Sequence, residues 1–158
     1  LLHSAPQPPL PGGGAAYSAV MGSFSWVGQY VVAALVFTVV DAIWLGTIAK
    51  GLYAAHLGHL LAPDTNKAAA VGFYAIFLVG LVYFVIHPAV VDGSWVKAAA
   101  TGALFGVVTY ATWDLTNLAV LKDFPASIVP IDMAWGAVLS ATVSTLTTLI
   151  AGVVPALR

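Results

Sequence analysis

Four long apolar runs, each closed by polar residues, limit this chain more than any other feature. Trp26 to Ala49 holds one charge, Asp41, and Ala68 to Ile86 holds none. Lys97 to Ala119 adds only Asp114 to its starting lysine, and Ile128 to Val154 holds only Asp132. Each run is about 19 to 27 residues, and about 20 helical residues cross the hydrocarbon core of a bilayer. With lipid outside, a span must satisfy its own backbone hydrogen bonds, which selects helices. The expected fold is all-α: a four-helix transmembrane bundle with an extended N-terminal tail, its spans near 26–49, 68–87, 96–119 and 128–154. Composition agrees. Hydrophobic residues are 61% and charged ones 7%, against about 45–50% and about 25% in soluble domains.

Residues 1–25 are a Pro/Gly-rich segment without Asp, Glu, Lys or Arg. Such composition cannot build a core of its own, so the segment is expected to be ordered by a partner, with 26–158 forming the membrane domain. A fusion remnant is the other reading of the segment. The first residue is Leu, which suits a processed precursor. That reading implies an organellar inner or thylakoid membrane; without processing, a bacterial inner membrane is implied. Net charge is −1 and no basic patch exists, which excludes nucleic acid as a partner and leaves membrane lipids. Absence of cysteine removes disulfides, Cys-ligated metal and covalent haem attachment, so a bound lipid or pigment is the cofactor class left open.

Topology brings the intramembrane acids together. Spans one and three run in the same direction, and span four starts on the side where they finish. Asp41 lies eight residues before the end of span one, ~12 Å deep at 1.5 Å per residue. Asp114 is ~8–10 Å from the end of span three, and Asp132 is a few residues into span four. All three fall in the leaflet next to the 50–67 loop. Trp44 and Trp135 each follow an acid by three residues, on the same helical face, where an indole N–H can donate to the carboxylate or to a shared water. Tyr110 and Asn117 flank Asp114 at −4 and +3. Thr38 and Thr116 are further hydroxyls in the region. A mid-membrane Asp costs roughly 2.5–3.5 kcal/mol on insertion scales, and no Lys or Arg lies inside a span. The set Asp41, Trp44, Tyr110, Asp114, Asn117, Asp132 and Trp135 therefore reads as a structural polar cluster or as a substrate site. In the second case Asp41, Asp114, Asp132 and Asn117 are the catalytic candidates. Taken alone, Asp132 reads as a helix cap.

Other residues carry weaker signals. His56 and His59 have an i, i+3 spacing that metals use, but two loop histidines more often just meet the interface. His87, before Pro88, reads as a helix end, with axial ligation of a pigment or haem as the alternative. Gly102 and Gly106 form a GxxxG, a packing motif. The serines and threonines of 140–148 are expected to bond back to their own helix or across the bundle.

DAIWLG (41–46), LGHLLAP with Asn66, Phe73-Tyr74, YATWDLTN (110–117) and DMAWG (132–136) together resemble the DUF2177 family of small multi-pass membrane proteins. The resemblance covers about residues 30 to 150 and touches every span. Trp113 stands where the family pattern has Tyr. The resemblance implies Asp41, Trp44, Asp114, Asn117, Asp132 and Trp135 as one set and supplies no chemistry. The sequence is read first as an accessory subunit of a larger respiratory or photosynthetic membrane complex, contacted through 1–25. The alternatives are an enzyme or binding protein acting on a lipid or isoprenoid and, with polar residues reaching only halfway across, proton or ion translocation.

Overall fold

The computed structural model describes residues 13–158, with side chains from residue 25 onward. It is an all-α bundle without strands among those residues. Helix α1 (Gly13–Trp44) passes through a π-helical turn, Leu45–Ala49, into α2 (Lys50–Leu57). Helix α3 (Lys67–Leu81) passes through a second π-turn, Val82–Ile86, into α4 (His87–Val91). Helices α5 (Trp95–Val120) and α6 (Val129–Val153) follow, then a 3₁₀ turn, Pro155–Leu157.

Several boundaries differ from expectation. Helix α1 begins at Gly13, so 13–25, read from sequence as tail, has helical backbone. Adding a residue to an existing helix avoids the nucleation step, and the Ala, Met, Tyr and Ser of this stretch tolerate helix. The expected contact between 1–25 and a partner falls on residues whose side chains, up to 24, lie outside the described set. The second span does not stop at His87: it runs through Pro88 to Val91. Proline removes one backbone donor and crowds the carbonyl four residues before it, and the π-turn at 82–86 absorbs that conflict. Ser94 caps α5 by accepting from the Lys97 amide at 3.2 Å, and Asn66 caps α3 through the Ala69 amide at 3.0 Å.

Ser25–Leu57, Lys67–Val91 and Val129–Val153 are long and apolar enough to cross a membrane. Helix α5 matches them in length, with 26 residues. Its polar residues, from Thr101 to Asn117, keep it out of that class. Position explains the difference, because one side of α5 lies against α6 along its length. Ala98, Gly102, Gly106 and Asp114 are buried on α5, four residues apart or a multiple of four. Facing them on α6 are Asp132, Gly136, Ser140, Ser144 and Thr148. A Cβ at Gly102 would sit 2.8 Å from the Ser140 carbonyl oxygen, and one at Gly106 would collide with the Gly136 carbonyl. The two backbones touch, as small residues permit.

Helix α1 shows the opposite pattern on its two sides. Ser25, Gln29, Ala33, Phe37 and Asp41 are buried, while Val27, Val31, Leu35, Val39 and Ile43 are each at least 50% exposed. Both stripes have the four-residue step of a helix face. Apolar side chains on the outer stripe belong in lipid. The exposed threonines agree: Thr38, Thr47, Thr101 and Thr112 each donate to the carbonyl four residues back, leaving no hydroxyl proton unsatisfied in hydrocarbon. The core joins Ala33 and Phe37 to Leu139 and Val143, with Phe77, Leu81, Val85 and Ile86 from the second span.

Candidate functional site

Asp41 and Asp132 are each 8% exposed and Asp114 is 0% exposed. Their partners come from other helices. Tyr74 of α3 donates to Asp41 Oδ2 at 2.9 Å. Tyr53 of α2 donates to Asp132 Oδ1. Trp44 and Trp135 stack face to face, with ring centroids 4.3 Å apart and planes 7° from parallel. The indoles do not serve the acids of their own helices, as the i, i+3 spacing suggested. They cross over: Trp135 of α6 approaches Asp41 of α1, and Trp44 of α1 approaches the Tyr53 hydroxyl that serves Asp132. Two Asp-x-x-Trp segments on packed helices thus form a reciprocal pair, each acid holding one tyrosine from elsewhere. Asp132 is no helix cap. It sits in the first turn of α6, where Ile128 is the cap residue and offers no side-chain bond.

Tyr53 reaches Asp132 because of the first π-turn. At ~100° per residue, residues 41 and 53 of an unbroken α-helix point ~120° apart. A π-turn accommodates about one extra residue, which reduces the offset to ~20° and turns Tyr53 toward α6. A small second core holds it there: Phe124, Ile128 and Val129 pack against Leu52, Tyr53, Leu57 and Met133.

Asp114 lacks any such partner. Both of its carboxylate oxygens are buried without a hydrogen bond, as are Asn117 Nδ2 and Trp44 Nε1. Asp114 lies within electrostatic reach of Asp132 and of Tyr53. Tyr110, one turn before Asp114, packs its ring on Gly136. Its hydroxyl lies within electrostatic reach of Asp41, Asp132, Tyr53 and Tyr74.

Beside this cluster the bundle opens. Phe77 of α3 meets Phe105 of α5 with centroids 5.5 Å apart. Nearer the 58–66 loop the two helices part around a groove of about 490 Å³ lined by Ala69, Phe73, Phe77, Thr109, Tyr110, Trp113 and Asp132. Its walls are aromatic, and its polar floor is Tyr110 and Asp132. Phe73 and Trp113 are 52% and 64% exposed, so the groove opens on the side of the bundle.

The family profile described as predicted membrane protein, DUF2177, matches residues 26–149. The chain belongs to the DUF2177 family. No curated protein and no solved structure matches it. The motifs of this DUF2177 protein have separable positions: Asp41, Trp44, Asp132 and Trp135 make the reciprocal pair, Tyr74 binds Asp41, Asn66 caps α3, and Trp113 walls the groove.

Other sequence candidates fall elsewhere in the DUF2177 chain. His56 Nδ1 lies 2.9 Å from the Leu52 carbonyl, and His59 Nε2 lies 3.1 Å from the Asp123 carbonyl. Each is occupied by backbone rather than sharing a ligand with the other. His87 packs against Trp26 with ring centroids 4.9 Å apart and planes tilted by 36°, and its Nδ1 lies 3.2 Å from Gln29 Oε1. Gln29, fully buried, also donates to the Leu157 carbonyl at 2.8 Å. Sequence reasoning passed over it, although an amide in an otherwise apolar span was the available signal. Thr38 and Thr116 are exposed and do not join the acids. The hydroxyls of Ser140, Ser144, Thr147 and Thr148 are buried without the bonds expected of them; Ser140 and Ser144 lie against Gly102 of α5. Tyr53 and Tyr74 were missed as partners of the acids. Tyr53 lies just past the end of the first apolar run, where a ring ordinarily marks the interface, and nothing in its spacing announces the π-turn.

Proposed function

We propose that this protein binds a single-chain or isoprenoid amphiphile from one leaflet, the tail in the aromatic groove and the polar end at Asp132 and Tyr110. The observation that carries the reading is the side-facing groove whose deep end meets intramembrane carboxyl groups. A purely structural acid cluster needs no such opening. Binding sites in general combine apolar walls with a few placed polar groups, in volumes of about 300–1,000 Å³. The groups at the floor are of the kind that does acid–base chemistry, with Asp132 oriented by Tyr53 and Asp41 by Tyr74.

An accessory-subunit role is compatible with the same bundle and rests on residues 1–25. Protein lacking 1–25 that still co-purifies with the same large assembly removes its support. Translocation fits less well. Polar groups do occur in both halves, with Gln29 and His87 opposite the acids, but the residues between them are the apolar Ala33, Phe37, Leu139 and Val143 and the non-ionisable hydroxyls of Ser140 and Ser144.

The test is purification from native membranes with mass-spectrometric identification of retained small molecules, comparing wild type with Ala69→Trp. Ala69 is exposed at the mouth of the groove, so the indole blocks entry without disturbing the core. Retention is expected to fall at least about tenfold, equivalent to ~1.4 kcal/mol. An unchanged set of molecules at unchanged yield sinks the reading.

A further inference from the structure

The charge of the floor narrows the occupant. Asp132 lines the groove, Asp114 lies behind it fully buried with both oxygens unpartnered, and Asp41 is the third acid of the cluster. No basic side chain answers them. The one ion pair among the described residues, Lys97 with Asp92 at 2.5 Å, joins the start of α5 to the turn before it, at the far end of the bundle. Nor do the acids converge as metal ligands: no group of three or more His, Cys, Asp or Glu among the described residues could hold a metal ion. An anionic headgroup would find no cation beside it here and would be repelled by any of the three carboxyl groups that is ionised, in a low-dielectric site where like charges repel most strongly.

We propose that the groove selects amphiphiles ending in a protonated primary amine. This rests on the amphiphile-binding reading above and gives its occupant a headgroup. An ammonium is compact and carries three donors. Asp132 offers acceptor capacity beyond its bond from Tyr53, and the Tyr110 hydroxyl offers a lone pair. Asp114 contributes long-range attraction from the second row. Tyr110 and Trp113 line the same groove, and aromatic rings further stabilise a desolvated cation that meets their faces. Charge complementarity of this kind discriminates between ligands more than it adds affinity. The groove should therefore take amines, alcohols and acids of one chain length with very different success.

The full chain in phosphatidylcholine nanodiscs, doped in turn with octadecylamine, octadecanol and octadecanoic acid, tests this through the amount of each retained by the washed protein. The amine is expected to be retained at least about tenfold over the alcohol, with the acid lowest. Asp132→Asn is expected to remove the preference, and Asp114→Asn to reduce it. Equal retention of amine and alcohol by wild type overturns the proposal, because the acids then carry their own protons. Preference for the octadecanoic acid overturns it as well. Both outcomes leave the groove itself standing, provided Ala69→Trp lowers retention of all three. If Ala69→Trp changes none of them, the amphiphile-binding reading fails instead. The wild-type comparison needs no variant to fold.

Discussion

Asp114 and Asp132 lie close together yet make opposite contributions to stability. Asp132 accepts from Tyr53 and Asp41 accepts from Tyr74. Removing either hydroxyl leaves a buried acceptor short of one bond, at a cost of roughly 0.5–1.5 kcal/mol. Tyr74→Phe is therefore expected to lower the thermal midpoint in detergent, with no further loss when Asp41→Leu, which removes the acceptor, is already present. Asp114 makes no hydrogen bond at all. A buried polar group without a partner costs about 1–3 kcal/mol relative to an apolar one of similar shape. Asp114→Leu is thus expected to raise the thermal midpoint, while Asp132→Leu lowers it. If Asp114→Leu destabilises as much as Asp132→Leu, Asp114 has a structural partner after all. Stabilisation by removing an acid is what a residue kept for binding rather than folding predicts.

Among the elements, the π-turn at Leu45–Ala49 and the α5–α6 seam place the site, and only the seam was visible beforehand. Gly102 and Gly106 announced close helix packing. Their mates, Gly136 and Ser140, follow from the four-residue step after Asp132. Substituting Gly106 by Ala forces a Cβ into the Gly136 carbonyl, and a loss of about 1–3 kcal/mol is expected, as for overpacking in a tight core. Gly72, with nothing within 4 Å of a built Cβ, is the control. Gly72→Ala is expected to be neutral or to stabilise by about 0.5–1 kcal/mol through helix propensity. The four apolar runs could be read directly, since period and length alone set them, and so could the approach of three acids to one another, which follows from the alternating direction of the spans. Tyr53 could not. Its facing depends on one extra residue in a turn, and Leu45-Gly46-Thr47-Ile48-Ala49 carries no proline or charge to mark it. That account has a sharp consequence. Deleting Gly46 regularises the turn and leaves Tyr53 facing Asp132, whereas inserting one Ala after Gly51 turns Tyr53 away by ~100°. Tyr53→Phe is expected to cost stability in the deletion background and nothing in the insertion background.

For the whole molecule, the groove exists because α3 meets α5 at Phe77 and Phe105 and then diverges, while α5 and α6 stay in backbone contact. The acids gather at the end of the bundle where the groove lies, so an occupant is expected to enter sideways from the leaflet at that end. A quencher confined to that leaflet is expected to reach Trp113, and one confined to the opposite leaflet is not. Equal quenching from both sides would contradict the depth assigned to the groove. The stacked indoles of Trp44 and Trp135 join the first and last helices of the bundle at the level of the acids. Two indole rings 4.3 Å apart couple their intense far-ultraviolet transitions, so circular dichroism in that region is expected to contain an exciton signal found in neither tryptophan alone. That signal is lost in Trp44→Phe and in Trp135→Phe alike. It reports, without any label, whether the two ends of the chain stay clasped while the groove fills.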